Sequence, residues 1–390
     1  MMRALGAVFR KECVDNLRDR RTLLTVLVLG PLLGPMLYTG MMGVSINRHI
    51  ADQDQPIKLP VAGAGYAPNL VAFLQQHNVK VESAPADPER AVRDGKQDLV
   101  LVIPPHYPAD FRAGTPAAVT LVLDNSRDSA DKDVNRARSL LEQYGRSVAT
   151  LRLLARGVDP RALTPMEVQE DDLSTPRSRS GQLLAIVPYF FLFAAILGAF
   201  YLAIDTTAGE RERGSLEPLL ATAAPRAALV LGKLAAVTLF SSVSLALDVL
   251  ALWACHGLIP AEKLGISIGF GAGTALAAFL LCLPFAPLAA ALLSVVASFT
   301  KSYKEAQTWL SFIMLVPLIP VIALLLYPAP PAAWMMLLPS LSQDVLITAL
   351  IKGEHLATGF VALSVASTLV FTGALAALAV WRYRQEKILG

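Results

Sequence analysis

The chain alternates between long apolar stretches and short charged ones, interrupted once by a polar interval of domain size. Six segments, Thr22–Ile46, Leu183–Ile204, Ala227–Cys255, Ile266–Phe299, Trp309–Tyr327 and Thr358–Trp381, each reach about the 20 residues an α-helix needs to cross a bilayer. The fourth is long enough to break, and Pro284 and Pro287 mark where. Gly30 with Gly34 in the first segment, and Gly269 with Gly273 in the fourth, have the spacing of close helix packing. Ahead of the first segment, residues 1–21 interleave Arg3, Arg10, Lys11, Arg18, Arg20 and Arg21 with Leu5, Phe9, Cys13 and Leu17. The apolar spacing of four puts one stripe on a basic helix, the pattern of a helix lying among lipid headgroups. The apolar run that follows is too long for a signal-peptide core, which predicts a retained first span, 22–46.

The polar interval, 47–180, changes period. Runs of β type at Ile57–Ala62, Val79–Glu82, Leu99–Ile103 and Val119–Leu123 alternate with helical runs at Asn69–Gln76 and Pro88–Gly95. A long helix follows, from about Ser129 to Arg156, with apolar positions at Val134, Ala137, Leu141, Tyr144, Val148, Leu151 and Leu154. Strands alternating with helices predict a small α/β layer domain. Asp124 and Asp128 do not match a calcium loop; Asp128 or Ser129 reads as a helix cap. The remainder, 181–390, holds the other five spans. Between the last two lies an outer segment, 328–354, whose proline-broken first part suits a re-entrant stretch and whose Leu341–Ile351 reads as a short amphipathic helix. The fold class is therefore an α-helical polytopic membrane protein, with six transmembrane helices, an N-terminal interfacial helix and an α/β extracytoplasmic domain between the first two spans.

A charged run, 209–220, joins the second and third spans. Glu210, Arg211, Glu212, Gly214, Ser215, Leu216, Glu217, Leu219 and Leu220 read as a short helix, with leucines on one side and Glu210, Arg213 and Glu217 three or four apart. An exposed leucine cluster rimmed by charge at a membrane edge has the composition of a docking surface. The alternative is leucines resting on lipid headgroups.

Composition agrees with this membrane reading: 54% of the 390 residues are hydrophobic and 17% charged, against about 25% charged in soluble domains. A net charge of +3 is too small to argue for nucleic acid. The distribution of charge says more. Basic residues fall on the N-terminus, on Arg211, Arg213, Arg226 and Lys233, on Lys301 and Lys304, and on Arg382, Arg384 and Lys387; the opposite short loops have Lys263 and Lys352. The positive-inside rule then puts both termini and the charged run in the cytoplasm and 47–180 outside. Cys13, Cys255 and Cys282 all lie in or beside apolar segments, so the outer domain holds no disulfide, and none has ligand spacing.

The run Gly209-Glu-Arg-Glu-Arg-Gly-Ser-Leu-Glu-Pro-Leu-Leu220, followed by Pro225-Arg226 and Gly232-Lys233, resembles the cytoplasmic coupling segment of ABC-2 type transporter permeases, and within them the sodium-extruding, NatB-like branch. Residues Phe9–Arg21 resemble the elbow helix that opens such permeases. Asp98–Gly114 with Leu121–Ser126 resembles the branch's external domain, and Leu338–Gln343 the outer re-entrant region. The resemblance implies a permease subunit of an ABC exporter in the inner membrane of a bacterium, working as a homodimer with a separate ABC ATPase. ATP and magnesium would be bound by that ATPase and no cofactor by this chain. It implies sodium as cargo, while export of a drug, peptide or lipid would use the same skeleton.

The available chemistry does not point to an enzyme. Gly209 and Gly214 have the interval of a phosphate-binding loop, but Ser215 stands where its lysine belongs. His49, His77, His106, His256 and His355 lie in polar regions or at span edges, without a metalloprotease motif. One carboxylate, Asp248, lies deep in a span, at an insertion cost of about 2.5–3.5 kcal/mol. With Ser241 and Ser244 on nearly the same face it forms a candidate transport pathway; a hydrogen-bonded packing residue is the alternative. A secondary transporter would need more buried charges and an internal repeat. A membrane-anchored sensor using 47–180 is a further alternative.

Overall fold

A computed structural model describes residues 1–19, 24, 28, 30–54, 56–124, 131–163, 166, 175, 184–260, 268–327 and 329–385. The expectations placed on Arg20, Arg21, Asp128, Ser129, Lys263 and Lys387 lie outside these residues. Two compact units emerge: Met1–Asn47 with Leu173–Gly390, and Arg48–Asp172.

The chain opens with helix α1 (Met2–Arg18), which buries Val8, Glu12, Cys13 and Asn16. Helix α2 (Gly30–Asp54) follows. Most of the expected first span before Gly30 lies outside the described residues, and the helix continues past Ile46, where its apolar pattern ends. Gly34 lets α2 approach the Phe190 ring, 3.1 Å from the place a Cβ would take.

The second unit is a four-stranded sheet with helices. Its elements are β1 (Ile57–Ala62), α3 (Pro68–Gln76), β2 (Val79–Ser83), α4 (Pro88–Arg93), β3 (Leu99–Val102), α5 (Tyr107–Ala113), β4 (Thr120–Leu123) and α6 (Asp131–Ala155). Strand order is β2-β1-β3-β4, parallel except for the antiparallel β3–β4 edge, where Leu99 faces Leu123. Leu59, Leu70, Leu74, Leu99 and Leu101 are almost wholly buried at its centre. Val134, Ala137 and Leu140 of α6 join this core, with Leu141 and Tyr144 packed on it. The buried stripe of α6 stops short of the expected one: Leu151 and Leu154 are exposed.

Among the described residues, the first unit resumes with five helical runs long and apolar enough to span a membrane: Val187–Glu212, Arg226–Leu258, Ala272–Phe299, Tyr303–Leu326 and Thr358–Arg384. They contain α7 (Val187–Ile204), α8 (Leu216–Leu220, just after the first run), α9 (Arg226–Cys255), α10 (Ala272–Cys282), α11 (Phe285–Phe299), α12 (Tyr303–Ile313), α13 (Leu318–Leu326), α14 (Leu341–Lys352, between the last two runs) and α15 (Thr358–Arg384). The break between α10 and α11 falls at Pro284, whose ring cannot donate the missing helix bond.

The tightest packing differs from the expected glycine pairs. Gly269 precedes α10, and Gly273 has open space where a Cβ would stand. It is Gly198 that brings α7 onto α9: a Cβ there would lie 2.5 Å from Ser244 Cβ and 2.9 Å from both Phe240 O and Ser241 Cα. Helix α14 forms where the short amphipathic helix was expected, but it has no exposed polar face. Ser342, Gln343, Asp344, Val345, Leu346, Ile347, Ala349 and Ile351 are all buried, because other elements surround it. At its start Gln343 Oε1 reaches back to accept from Ser340 N, at 2.7 Å. Gln343 then donates to Thr368, and Ser364 to Ser342, which fastens α14 to α15.

Candidate functional site

The charged run is two pieces, not one short helix. Beyond Ile204, α7 widens into a π-helical turn at Asp205–Gly209 before a last α-helical turn at Glu210–Glu212. Such widened turns are frequent at functional sites. Thr206 and Thr207 turn their hydroxyls back to the Leu202 and Ala203 carbonyls. Gly209 leaves room for Arg213 to reach Asp205, at 2.8 Å. Gly214, at φ +68°, then turns the chain and separates this end from α8.

The first piece is pinned by a buried ionic cluster. Lys233 Nζ, on the first turns of α9, lies 2.6 Å from Glu210 Oε2 and 3.2 Å from Glu12 Oε1 of α1. The first is a close ion contact off the hydrogen-bond axis. The ammonium also donates to Thr206 O in the π turn, at 3.0 Å. Lys11 bridges the same carboxylates from the half-exposed side, at 3.2 Å from Glu12 and 3.3 Å from Glu210. Burial works against the Lys11 charge, but Glu12 and Glu210 outweigh it and raise its pKa. Glu12, Glu210 and Lys233 are each at most 5% exposed, so two carboxylates and one ammonium lie out of water, and the half-exposed Lys11 completes the charge balance. Gly232, beside Lys233, makes the approach possible: a Cβ there would collide with Leu5 O and Val8, both at 2.9 Å.

The rest of the run fastens further helices. Arg211 donates to Thr300 O and to Ser298 O (2.9 Å), covering bare carbonyls at the end of α11. Glu212 Oε2 accepts from Tyr303 N at 2.7 Å, the start of α12. Arg226 donates to the Arg384 carbonyl at 2.9 Å, the end of α15. Ser215 closes the turn on Glu210 O.

The leucines do not form the exposed cluster their sequence suggests. Leu216 is 2% exposed and packs with Val230, Leu234, Val295, Ala379 and Tyr383; Leu220 leans on the same group and Leu219 is half-buried. The partners come from α9, α11 and α15, distant segments that supply the core the run lacks by itself. Glu212 and Glu217 remain exposed. A cavity of about 230 Å³ opens beside the cluster, lined by Asp15, Asn16, Asp19, Tyr201, Asp205 and Tyr303.

Deeper in the bundle, Asp248 is 2% exposed and its Oδ2 has no hydrogen-bond partner among the described residues. Ser241 and Ser244 donate to the carbonyls of Ala195 and Ala194 on α7, at 2.6 and 2.8 Å. Those bonds hold the α7–α9 crossing at Gly198. Cys282 of α10 lies within Coulombic reach of Asp248 and of Asp344, a second buried carboxylate on α14 whose Oδ1 also has no partner among the described residues. Sequence reasoning missed Glu12 as a partner and used Lys233 for orientation and for the family resemblance, not as part of an ion cluster; the available signal was a lysine just inside an apolar span.

Two comparisons bear on this arrangement. The chain is 29% identical over 323 residues to the ABC transporter permease protein NatB of Bacillus subtilis (strain 168), covering 81% of each chain. The family model for ABC-2 family transporter proteins matches residues 20–381, almost the whole molecule. With a helical bundle of apolar spans and a charged junction at its edge, the chain belongs to the ABC-2 family of transporter proteins.

Proposed function

We propose that this chain is the membrane-spanning permease subunit of an ATP-driven exporter, and that residues 209–220 receive the motion of a separate ATPase subunit. The observation that carries this reading is the buried Glu12–Lys233–Glu210 cluster. It joins α1, the end of α7 and the start of α9 at one point, while Arg211 and Glu212 fasten the ends of α11 and α12. A push on the exposed edge of this junction moves several spans together, because packed, ion-paired elements shift as bodies. ABC-2 permeases have their ATPase in a partner subunit, so the exposed Glu212 and Glu217 are the groups this reading assigns to that contact.

The finer reading is sodium efflux by a homodimer in a bacterial inner membrane, with both termini cytoplasmic and 47–180 outside. Resemblance to the sodium-extruding branch, the charge asymmetry and the uncompensated Asp248 support it. A buried carboxylate without a cationic partner among the described residues is neutralised most simply by a proton or a monovalent cation.

The experiment is charge reversal at Glu217, which is exposed and takes no part in the internal bonding described above. Glu217→Lys is expected to leave the permease inserted and folded but to weaken ATPase association about tenfold, or to separate hydrolysis from transport. Unchanged association together with unchanged transport overturns the coupling role.

A further inference from the structure

Helix α6 carries a glycine that its own stability does not call for. Gly145 sits in the interior of a 25-residue helix, where glycine is weaker than alanine, and a Cβ there would meet nothing within 4 Å. Gly145 is exposed and lines the rim of a solvent-open hollow of about 360 Å³ in the α/β unit, bounded by α3, α5, the turn after α5 and α6. Ala149, one turn on, continues the small-residue wall, and Leu70 and Phe111 supply apolar floor. The volume falls within the usual range for small-molecule sites, about 300–1,000 Å³, and the mix of apolar wall with a few polar groups is theirs as well.

The polar groups gather on one chemistry. The Tyr107 and Tyr144 phenols bond to each other, and burial pushes Tyr107 up to about 12, so both are neutral donors and acceptors near neutral pH. Arg152 stacks over the Phe111 ring at 4.7 Å and donates to Phe111 O at 2.7 Å, which fixes its guanidinium. Arg156, one turn further, brings its guanidinium to the turn at Gly114, whose φ of +78° and missing Cβ keep that approach open. Among the described residues, none that lines it is a carboxylate.

We propose that this cavity binds a small carboxylate with an apolar body, its hydrocarbon over Gly145 and Ala149 and its carboxylate on Arg152 and Arg156. Charge complementarity selects the anion, and the apolar wall excludes a bare inorganic one. The site stands apart from the transport reading and does not depend on it.

The test uses the full chain in detergent and 4-fluorophenylacetate, a water-soluble aromatic carboxylate, followed by fluorine NMR line broadening. Saturable binding is expected, about tenfold weaker in Arg156→Gln and for the neutral 4-fluorophenylacetamide, as loss of a charge-assisted bond predicts. Gly145→Leu fills the space and is expected to abolish binding with an unfolding temperature at or above that of the native chain; Ala149→Leu does the same from the next turn. No saturable binding up to about 10 mM, a dissociation constant too weak for a built site, overturns the proposal. Undiminished binding in both filled variants overturns the location, and equal binding of the amide overturns the anionic assignment.

Discussion

Lys233 faces two carboxylates whose remaining counter-ion, Lys11, is half in water. A buried ion group contributes little net stability when intact, yet removing one partner strands the others. Lys233→Met keeps the length of the side chain and removes its charge. It is expected to lower stability by about 3–5 kcal/mol in thermal or denaturant unfolding, with much of the loss recovered when Glu12→Gln and Glu210→Gln are added. A single variant within about 1 kcal/mol of the native chain would show that the cluster holds nothing together. Asp248 poses the opposite case, a carboxylate whose Oδ2 has no partner among the described residues. Asp248→Asn preserves shape and removes the charge, so on the proposed sodium reading assembly should persist while sodium efflux from vesicles containing permease and ATPase falls about tenfold. Normal efflux in that variant across the working pH range would make Asp248 a packing residue.

At the scale of elements, the α7–α9 crossing depends on one absent methyl group. Gly198→Ala places a Cβ against Ser244 Cβ and against α9 backbone that cannot step aside. Overpacking of about 1–3 kcal/mol should exceed the gain in helix propensity of about 1 kcal/mol, and unfolding measurements should show a net loss. A stabilised variant would mean that the helices part without cost. The crossing was not legible in the sequence, where small residues are abundant and only the partner decides which one matters. Strand and helix alternation from Ile57 onward was legible, because its period changes with each element. Helix α5 was not: Pro104, Pro105 and Pro108 obscure it, although Pro108 falls in its first turn, where proline is tolerated. The ionic cluster escaped for a different reason. Lys233 and Glu12 are 221 residues apart, and a local pattern shows that each is charged without showing that both are buried. Leu216 misled in the same way, since its covering residues come from α9, α11 and α15.

At the scale of the whole molecule, the proposed orientation rests on where the basic residues fall. With the native cysteines replaced, a single cysteine at Arg161 should react with an impermeant maleimide added to intact cells, and one at Ser215 only after permeabilisation. Both positions are exposed, so burial does not mask the reaction. Reaction at Ser215 in intact cells would invert the arrangement and remove the coupling role with it.

The arginines that carry this asymmetry have a second appointment in the finished fold. Arg211 and Arg226 cover the bare carbonyl ends of α11 and α15, where the helix dipole is negative. During synthesis, on the proposed orientation, the same charges hold the loop on the cytoplasmic side while those two helices have yet to leave the ribosome. A side chain that first steers the chain and later closes helices made after it has two deadlines to meet. Lysine satisfies the first as well as arginine does, but in the second Arg211 sets one arm of a planar guanidinium on each of two carbonyls, a fixed geometry that lysine lacks. The identity of the residue is then set by the late event, and its charge by the early one.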